Sequence, residues 1–341
     1  MRIQPLLATV AVASSLAALA CGASSDDAAP DAVPGEPAVT GPGAVGPRDP
    51  SSNQASTATK DAATGTGAST ETRDGGADGS VPAVPKGSCG STNPAKGFLA
   101  SVSVKVGAAT RTYALTVPSG YDGTKLYPIV IGFHGDGGNG AGYRASLPIE
   151  AQAPQGAIFA WPNGTNDNNG HSFDQAHNPP ANADVAFFDA MVAQISTTYC
   201  ADKKRVYVHG MSGGGYFTNQ IGRWRATAIR AIAPQSGGGP FGIGAVDYDP
   251  VGGQLTVNGA VAAMMIHGLS DTAVPISEGQ SSLAYWRRAD TSSAGQAATA
   301  PSPCQKQNGG ARPVHFCAIP GLQHEIWTGA PAAIWSFFAA N

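Results

Sequence analysis

From residue 98 onward, short apolar runs alternate with stretches of helical periodicity. Residues 98–106 and 110–117 are β-rich runs on either side of Gly107 and read as a hairpin. Residues 128–133, 157–161, 205–208, 229–233, 262–266 and 313–319 are runs of the kind expected for strands buried on both faces. Between them, 184–199 places Val185, Phe188, Met191, Val192 and Ile195 at helical spacing. A helix opens at Gly215-Tyr216-Phe217, and 277–289 and 331–338 read as two more. Strands alternating with helices predict an α/β domain: a mostly parallel sheet of roughly eight strands, covered by helices on both faces. Residues 163–182 break the rhythm as a long polar loop, and a loop this long in a compact domain is usually a functional rim or lid.

The pattern is absent before residue 89. Residues 1–20 hold one arginine and a long apolar run that ends in Ala18-Leu19-Ala20-Cys21, which reads as a secretory signal. Cys21 after small residues suggests lipoprotein processing and membrane anchoring through a lipid. Leu19 lies two residues before the cysteine rather than three, so ordinary signal cleavage nearby stays open. The run is short for a transmembrane anchor. Residues 22–88 contain no Leu, Ile, Met, Phe, Tyr or Trp. They cannot bury enough apolar surface to offset their ordering entropy, and read as a disordered tether. The folded domain is therefore expected at 89–341.

The tether carries nine acidic and four basic residues, which leaves the domain near neutral in a chain of net charge −3. A near-neutral domain has no electrostatic footprint for nucleic acid. The domain has four cysteines, and an even count in an exported chain suggests two disulfides. Three connectivities are possible. Cys304 and Cys317 flank a Gly-Gly turn and are paired on that ground, which leaves Cys89 with Cys200. Zinc is the other reading of four cysteines, but no Cys-x-x-Cys spacing occurs.

Candidate chemistry gathers at strand ends. Gly210-Met211-Ser212-Gly213-Gly214 follows a strand and precedes a helix, which is the strand, strained turn and helix of a nucleophile elbow. In a chain with 45 glycines this motif alone is weak, and its neighbours decide. Acyl transfer needs a nucleophile, a base, an acid that orients the base, and oxyanion donors. Ser212 is the nucleophile candidate. Asp271, in the turn after His267-Gly268, is the acid, with Asp247 and Asp249 as rivals in an irregular stretch. His324, just past the last strand, is the base. The order Ser, Asp, His is that of the α/β-hydrolase fold. His134-Gly135-Asp136 follows another strand, where the Asp136 backbone N–H would join that of Gly213 as oxyanion donor. His134 precedes the elbow and reads as packing under its loop. His209 and His267 read as structural. Trp161, His171, Phe173 and His177 are candidates for an aromatic acyl or sugar pocket, or else pack the loop, and Trp327 is a further substrate-binding candidate. The mechanism requires no cofactor and no metal. A monomer is expected.

These residues resemble a known family. Tyr199-Cys200-Ala201-Asp202 before the elbow strand, Ser88-Cys89-Gly90, His134-Gly135 with Gly138-Asn139, Trp161-Pro162-Asn163-Gly164, Asp184-Val185-Ala186-Phe187-Phe188, His267-Gly268 with Asp271, and Ile334-Trp335-Ser336-Phe337-Phe338 resemble the secreted esterase and polyhydroxybutyrate-depolymerase group. That group includes the feruloyl and acetylxylan esterases of carbohydrate esterase family 1. The likeness covers nearly all of 89–341 and implies an α/β-hydrolase that cleaves esters with Ser212, Asp271 and His324. The chain departs from the family at Gly321-Leu322-Gln323-His324, where the family often has Gly-Gly-Gly-His, and at Gly213, where it often has Asn. No substrate-binding domain is visible, which favours soluble or plant-wall esters over insoluble polyester. Polyester depolymerisation is the second expectation, and a non-catalytic surface lipoprotein the third.

Overall fold

The computed structural model describes residues 89–90, 94–165, 171–175, 177–240 and 259–341. The expected signal with Cys21, the tether, Asp247, Asp249, and positions 166–170 and 176 of the polar loop lie outside them.

A hairpin opens the domain: β1 (Gly97–Val106) and β2 (Ala109–Val117) pair antiparallel. The central strands follow as β3 (Tyr127–Phe133), β4 (Ile158–Pro162), β5 (Ala201–Met211), β6 (Ala231–Gln235) and β7 (Ala262–Gly268). Three more close the chain: β8 (Ser292–Ala298), β9 (Gln305–Gly309) and β10 (Val314–Ile319). Together they form one ten-stranded sheet in the order β1-β2-β4-β3-β5-β6-β7-β10-β9-β8. The block from β4 to β10 through the middle of that order is parallel, and both margins are antiparallel.

The sheet therefore has ten strands where the apolar runs predict about eight. The additions, β8 and β9, read SSAGQAA and QKQNG. An edge hairpin exposed to water needs no apolar run, so the pattern that marks buried strands is missing there.

Five helices cover the sheet among the described residues: α1 (Gly140–Ser146), α2 (Ala183–Thr198), α3 (Gly213–Trp224), α4 (Ile276–Ala289) and α5 (Ala330–Ala339). No described helix is long and apolar enough to cross a membrane. The period of two in β5 sorts the core. Val206 and Val208 face a layer with Val185 and Phe188 of α2, Phe217 and Ile221 of α3, and Trp286 of α4. Tyr207 and Met211 face the opposite layer, with Tyr143 of α1 and Ile334, Phe337 and Phe338 of α5. Burying both faces explains why the central strands are apolar throughout.

Disulfides join Cys89 to Cys200 and Cys304 to Cys317. The second ties the residue just before β9 to β10. The polar loop is pinned at its far end by a buried ion pair, Arg111 Nη1 to Asp184 Oδ1 at 2.6 Å. Asp184 Oδ2 also accepts the Asp174 N–H at 2.7 Å, and Asn182 Nδ2 donates to the Asp174 carbonyl at 2.8 Å.

Candidate active site

β5 ends in a turn that forces Ser212 to φ 56° and ψ −123°, a left-handed backbone that side-chain-bearing residues rarely adopt. The flanking glycines make this turn possible. A Cβ on Gly210 would overlap the Gly214 carbonyl, and one on Gly214 would overlap the Phe133 and His134 carbonyls. The Ser212 N–H is held by the Gln235 carbonyl at 3.0 Å, which ties the turn to the neighbouring strand β6. Gly213 is the first residue of α3, and the first N–H groups of a helix have no acceptor within it.

The parallel strands bring the three expected catalytic side chains together at their carboxyl ends. Ser212 Oγ lies 2.9 Å from His324 Nε2, and His324 Nδ1 lies 2.8 Å from Asp271 Oδ2. Asp271, from the turn after β7, is 6% exposed. Its other oxygen, Oδ1, accepts the N–H groups of Ala273 at 3.0 Å and Val274 at 2.8 Å. Burial opposes the ionisation of Asp271. The Val274 N–H, the His324 ring and the Ser236 hydroxyl outweigh it and hold the carboxyl below its ordinary value. Asp271 is therefore an anion fixed against one edge of the imidazole.

The turns that carry the acid and the base are stitched together. Ser270 N–H donates to the Leu322 carbonyl at 3.0 Å, and Leu269 N–H to the Ile319 carbonyl at 2.9 Å. His267 is buried and donates Nε2–H to the Val274 carbonyl at 2.8 Å, which braces the Asp271 turn from below. Gln235 Nε2 donates to the Glu325 carbonyl at 2.8 Å, one residue beyond His324. The apolar pattern of the sequence gives Gln235 no role. Its signal was a polar residue at the end of a buried strand, directly before Ser236-Gly237-Gly238-Gly239.

A Cβ on Gly135 would lie 3.2 Å from Ser212 Cβ, so this backbone passes directly beside the Ser212 side chain. The Asp136 carboxylate reaches the start of α3, where a Cβ on Gly213 would overlap its Oδ1. Gln175 Nε2 approaches the same oxygen at 3.4 Å, and Gln220 of α3 holds the Gln175 carbonyl at 2.9 Å. The loop thus reaches the site through Gln175. The His171 carbonyl accepts the Gly137 N–H at 2.9 Å beside it.

Several candidates belong elsewhere. Trp161 is 0% exposed, stacks on Phe159 and donates its indole N–H to Glu150 at 3.1 Å. It has no surface to offer a substrate, because β4 continues through Pro162 and turns the indole into the α1 and α5 layer. Phe173 is likewise core, stacked on Phe217 and set edge-on to Phe133. His134 is buried as expected of a packing residue: its Nδ1–H donates to the Gly135 carbonyl at 2.7 Å, and Nε2 accepts the Gly164 N–H at 2.9 Å. His209 is enclosed by Tyr143 and Trp161, and burial pushes its ring down to about 3. His177 is exposed and donates Nδ1–H to Asp174 at 2.8 Å. Trp327 is partly buried against the α5 layer. Among the described residues, no group of three or more His, Cys, Asp or Glu is placed to hold a metal ion.

No protein-family model matches the chain. It is 30% identical over 253 residues to the probable feruloyl esterase C of Aspergillus niger, covering 67% of this chain and 84% of that protein. It is 29% identical over 250 residues to feruloyl esterase C of Emericella nidulans, with the same coverage of 67% and 84%. Among solved structures, an acetyl xylan esterase from Aspergillus awamori superposes with TM-score 0.52 at 18% identity, covering 67% of this chain and 94% of that one. A mutant feruloyl esterase module from Clostridium thermocellum, complexed with sinapinate, gives TM-score 0.52 at 14% identity, covering 76% and 95%. At these identities the structural likeness speaks for the α/β-hydrolase fold.

Proposed function

The chain belongs to the feruloyl esterase C family of carboxylic ester hydrolases, and from that premise we propose that it releases hydroxycinnamoyl or acetyl groups from plant cell-wall polysaccharide through an acyl-enzyme on Ser212. The observation that carries this reading is the unbroken chain of hydrogen bonds Ser212–His324–Asp271 at a strained elbow. In the proposed reaction His324 Nε2 takes the Ser212 proton as Oγ bonds to the ester carbonyl carbon. The carbonyl electrons move to oxygen, facing the N–H groups of Gly213 and Asp136. The tetrahedral centre collapses, the bond to the sugar oxygen breaks, and His324 returns its proton to that oxygen. Water repeats the sequence and frees the acid. Asp271 keeps the imidazole in the tautomer that accepts at Nε2 and stabilises the imidazolium.

His177, and the part of Trp327 left in solvent, are offered as rim contacts for the substrate. Export is part of the same proposal, with Cys21 as the lipid-bearing residue. The two disulfides fit an oxidising compartment.

The test is hydrolysis of methyl ferulate, acetylated xylan and a polyhydroxybutyrate film by wild type and Ser212→Ala. Ferulate or acetate release that disappears in a folded Ser212→Ala protein is the expected result. Film clearance alone would replace the polysaccharide reading with polyester depolymerisation. Undiminished activity in Ser212→Ala would remove the nucleophile assignment.

A further inference from the structure

The β1–β2 margin of the sheet carries an aromatic ring with no part in the mechanism above. β1 packs Leu99, Val102, Val104 and Val106 toward the α2 layer and turns the residues between them to the other face. On that face stands Phe98, 44% exposed and one of two exposed large hydrophobics among the described residues. Its register partner on β2 is Thr116, whose own partner on β4 is Phe159, so the three side chains form one row on one face. The Arg144 guanidinium of α1 lies 4.2 Å from the centre of the Phe98 ring, and Arg144 Nε donates to Thr116 Oγ1 at 3.1 Å. Arg144 also grips the Glu150 carboxylate with two bonds of 2.7 Å.

Thr116 and Glu150 belong to the wall of a cleft of about 340 Å³, a volume that suits a small ligand. Tyr127 and Phe159, both buried, close it from the core side. Ser119, Lys125 and Gln155 line it as well, with Ser119 and Gln155 exposed. Lys125 Nζ donates to the Gln155 carbonyl at 3.1 Å, which uses one of the three donors of an ammonium. Tyr127 is the first residue of β3 and Phe159 the second of β4, so the cleft lies at the amino ends of the parallel strands. The catalytic side chains gather at the carboxyl ends, and β3 alone, seven residues long, puts about 20 Å between the two.

We propose that Phe98 and the cleft beside it form a second, non-catalytic binding site for a neutral polysaccharide chain. The choice of polymer rests on the polysaccharide-ester reading above. A sugar ring has an apolar face of C–H groups and a rim of hydroxyls. The exposed Phe98 ring offers a surface to the first, and the Ser119 hydroxyl, the Lys125 ammonium and the Gln155 amide offer partners to the second. The pairing of Arg144 with Glu150 cancels two opposite charges, so this wall holds no strong field that would select a charged ligand. A protein partner would need about 800 Å² on each side with an apolar centre. One exposed ring beside polar walls does not supply that. A polymer held here keeps its ester groups near the enzyme between encounters with Ser212, as a second binding module would.

Native electrophoresis through gels cast with arabinoxylan tests this on the Ser212→Ala chain, with Phe98→Ala to remove the ring and Ser119→Trp to fill the cleft. Both positions are exposed, so neither change is expected to disturb the core, and melting temperatures check that. The parent should be retarded, and each variant should bind about threefold or more weakly. With Ser212 restored, the ratio of kcat/KM on feruloylated arabinoxylan to kcat/KM on methyl ferulate should fall by a similar factor in both variants. Equal retardation of parent and variants would overturn the proposal, because the polymer would then be held at the catalytic centre. No retardation of the parent, or retardation by polygalacturonate and not by arabinoxylan, would overturn it as well. Retardation requires no ester hydrolysis. A chain that binds arabinoxylan through Phe98 yet releases neither ferulate nor acetate refutes the proposed function and leaves this site standing, and an active esterase that is not retarded does the reverse.

Discussion

Gln235 donates its side-chain amide to the Glu325 carbonyl while its own carbonyl accepts the Ser212 N–H. One residue thus ties the Ser212 turn to the turn that carries His324. Ser212 and His324 are 112 residues apart in sequence, and their 2.9 Å contact must be set by the strands between them. Gln235→Leu keeps the size of the side chain and removes the amide. The expected result is a fall in kcat of about ten- to a hundredfold with KM within about threefold, because misplacement affects the chemical step. The stability loss should be about 1 kcal/mol, the worth of one hydrogen bond. Steady-state kinetics and urea unfolding read both, and a variant with wild-type kcat would show that the His324 turn holds itself.

Asp271→Asn should leave the fold intact and lower kcat by about 10³- to 10⁴-fold, since an amide no longer selects the tautomer His324 needs. The same variant has a signature in stability. The folded pKa of Asp271 lies below its ordinary value. The carboxylate's contribution is therefore present above the unfolded-chain pKa of about 3.9 and lost as pH falls through the lower folded value. Any stability advantage of wild type over Asp271→Asn at pH 7 should narrow at pH 3. Equal slopes in urea unfolding across that interval would count against the ionised, bonded state described for Asp271.

That Ser212, Asp271 and His324 meet is legible because each sits where a buried strand ends, and buried strands announce themselves as apolar runs. β3, β5, β7 and β10 all did so. What the pattern left out is polar: β8 and β9 lie at a wet edge, and Gln235 acts through its main chain and a single amide. Trp161 departs from the pocket expectation for a different reason. It stands two residues after Phe159 on the same strand, and the period of two places both rings on one face. The run 157–161 that reads as a buried strand already includes Trp161, and that membership, rather than its place beside the polar loop, puts the indole in the core. The carboxylate of Asp136 carries no sequence signal, because the motif after β3 points only to its backbone N–H.

Four histidines, His134, His209, His267 and His315, have their ring pKa lowered, in each case chiefly by burial. The folded chain therefore binds fewer protons than the unfolded chain once pH drops below about 6.5. Their contribution to stability is full above that value and declines on acidification until each folded pKa is passed, about 3 for His209. Unfolding free energy should fall from pH 7 to pH 5, by up to about 1.4 kcal/mol per pH unit for each histidine. His209→Gln should remove one histidine's share of the slope, whatever it does to the absolute stability. A pH-independent unfolding free energy over this range would contradict the neutral, buried state of these rings.

The Asp136 carboxylate occupies the space that a Cβ on Gly213 would need. The two positions should therefore be coupled. Gly213→Ala forces Asp136 aside, and the backbone moved with it is the one proposed to carry the second oxyanion donor. A fall in kcat/KM of about ten- to a hundredfold is expected. Asp136→Ala removes the obstructing carboxylate and keeps the backbone N–H. In the double variant the penalty for Gly213→Ala should then shrink to about threefold or less, relative to Asp136→Ala alone. Residues in direct contact fail additivity in this way, and a double-mutant cycle on kcat/KM measures the failure. Strictly additive effects would mean that Gly213 is required for the turn itself, with the position of Asp136 incidental to it.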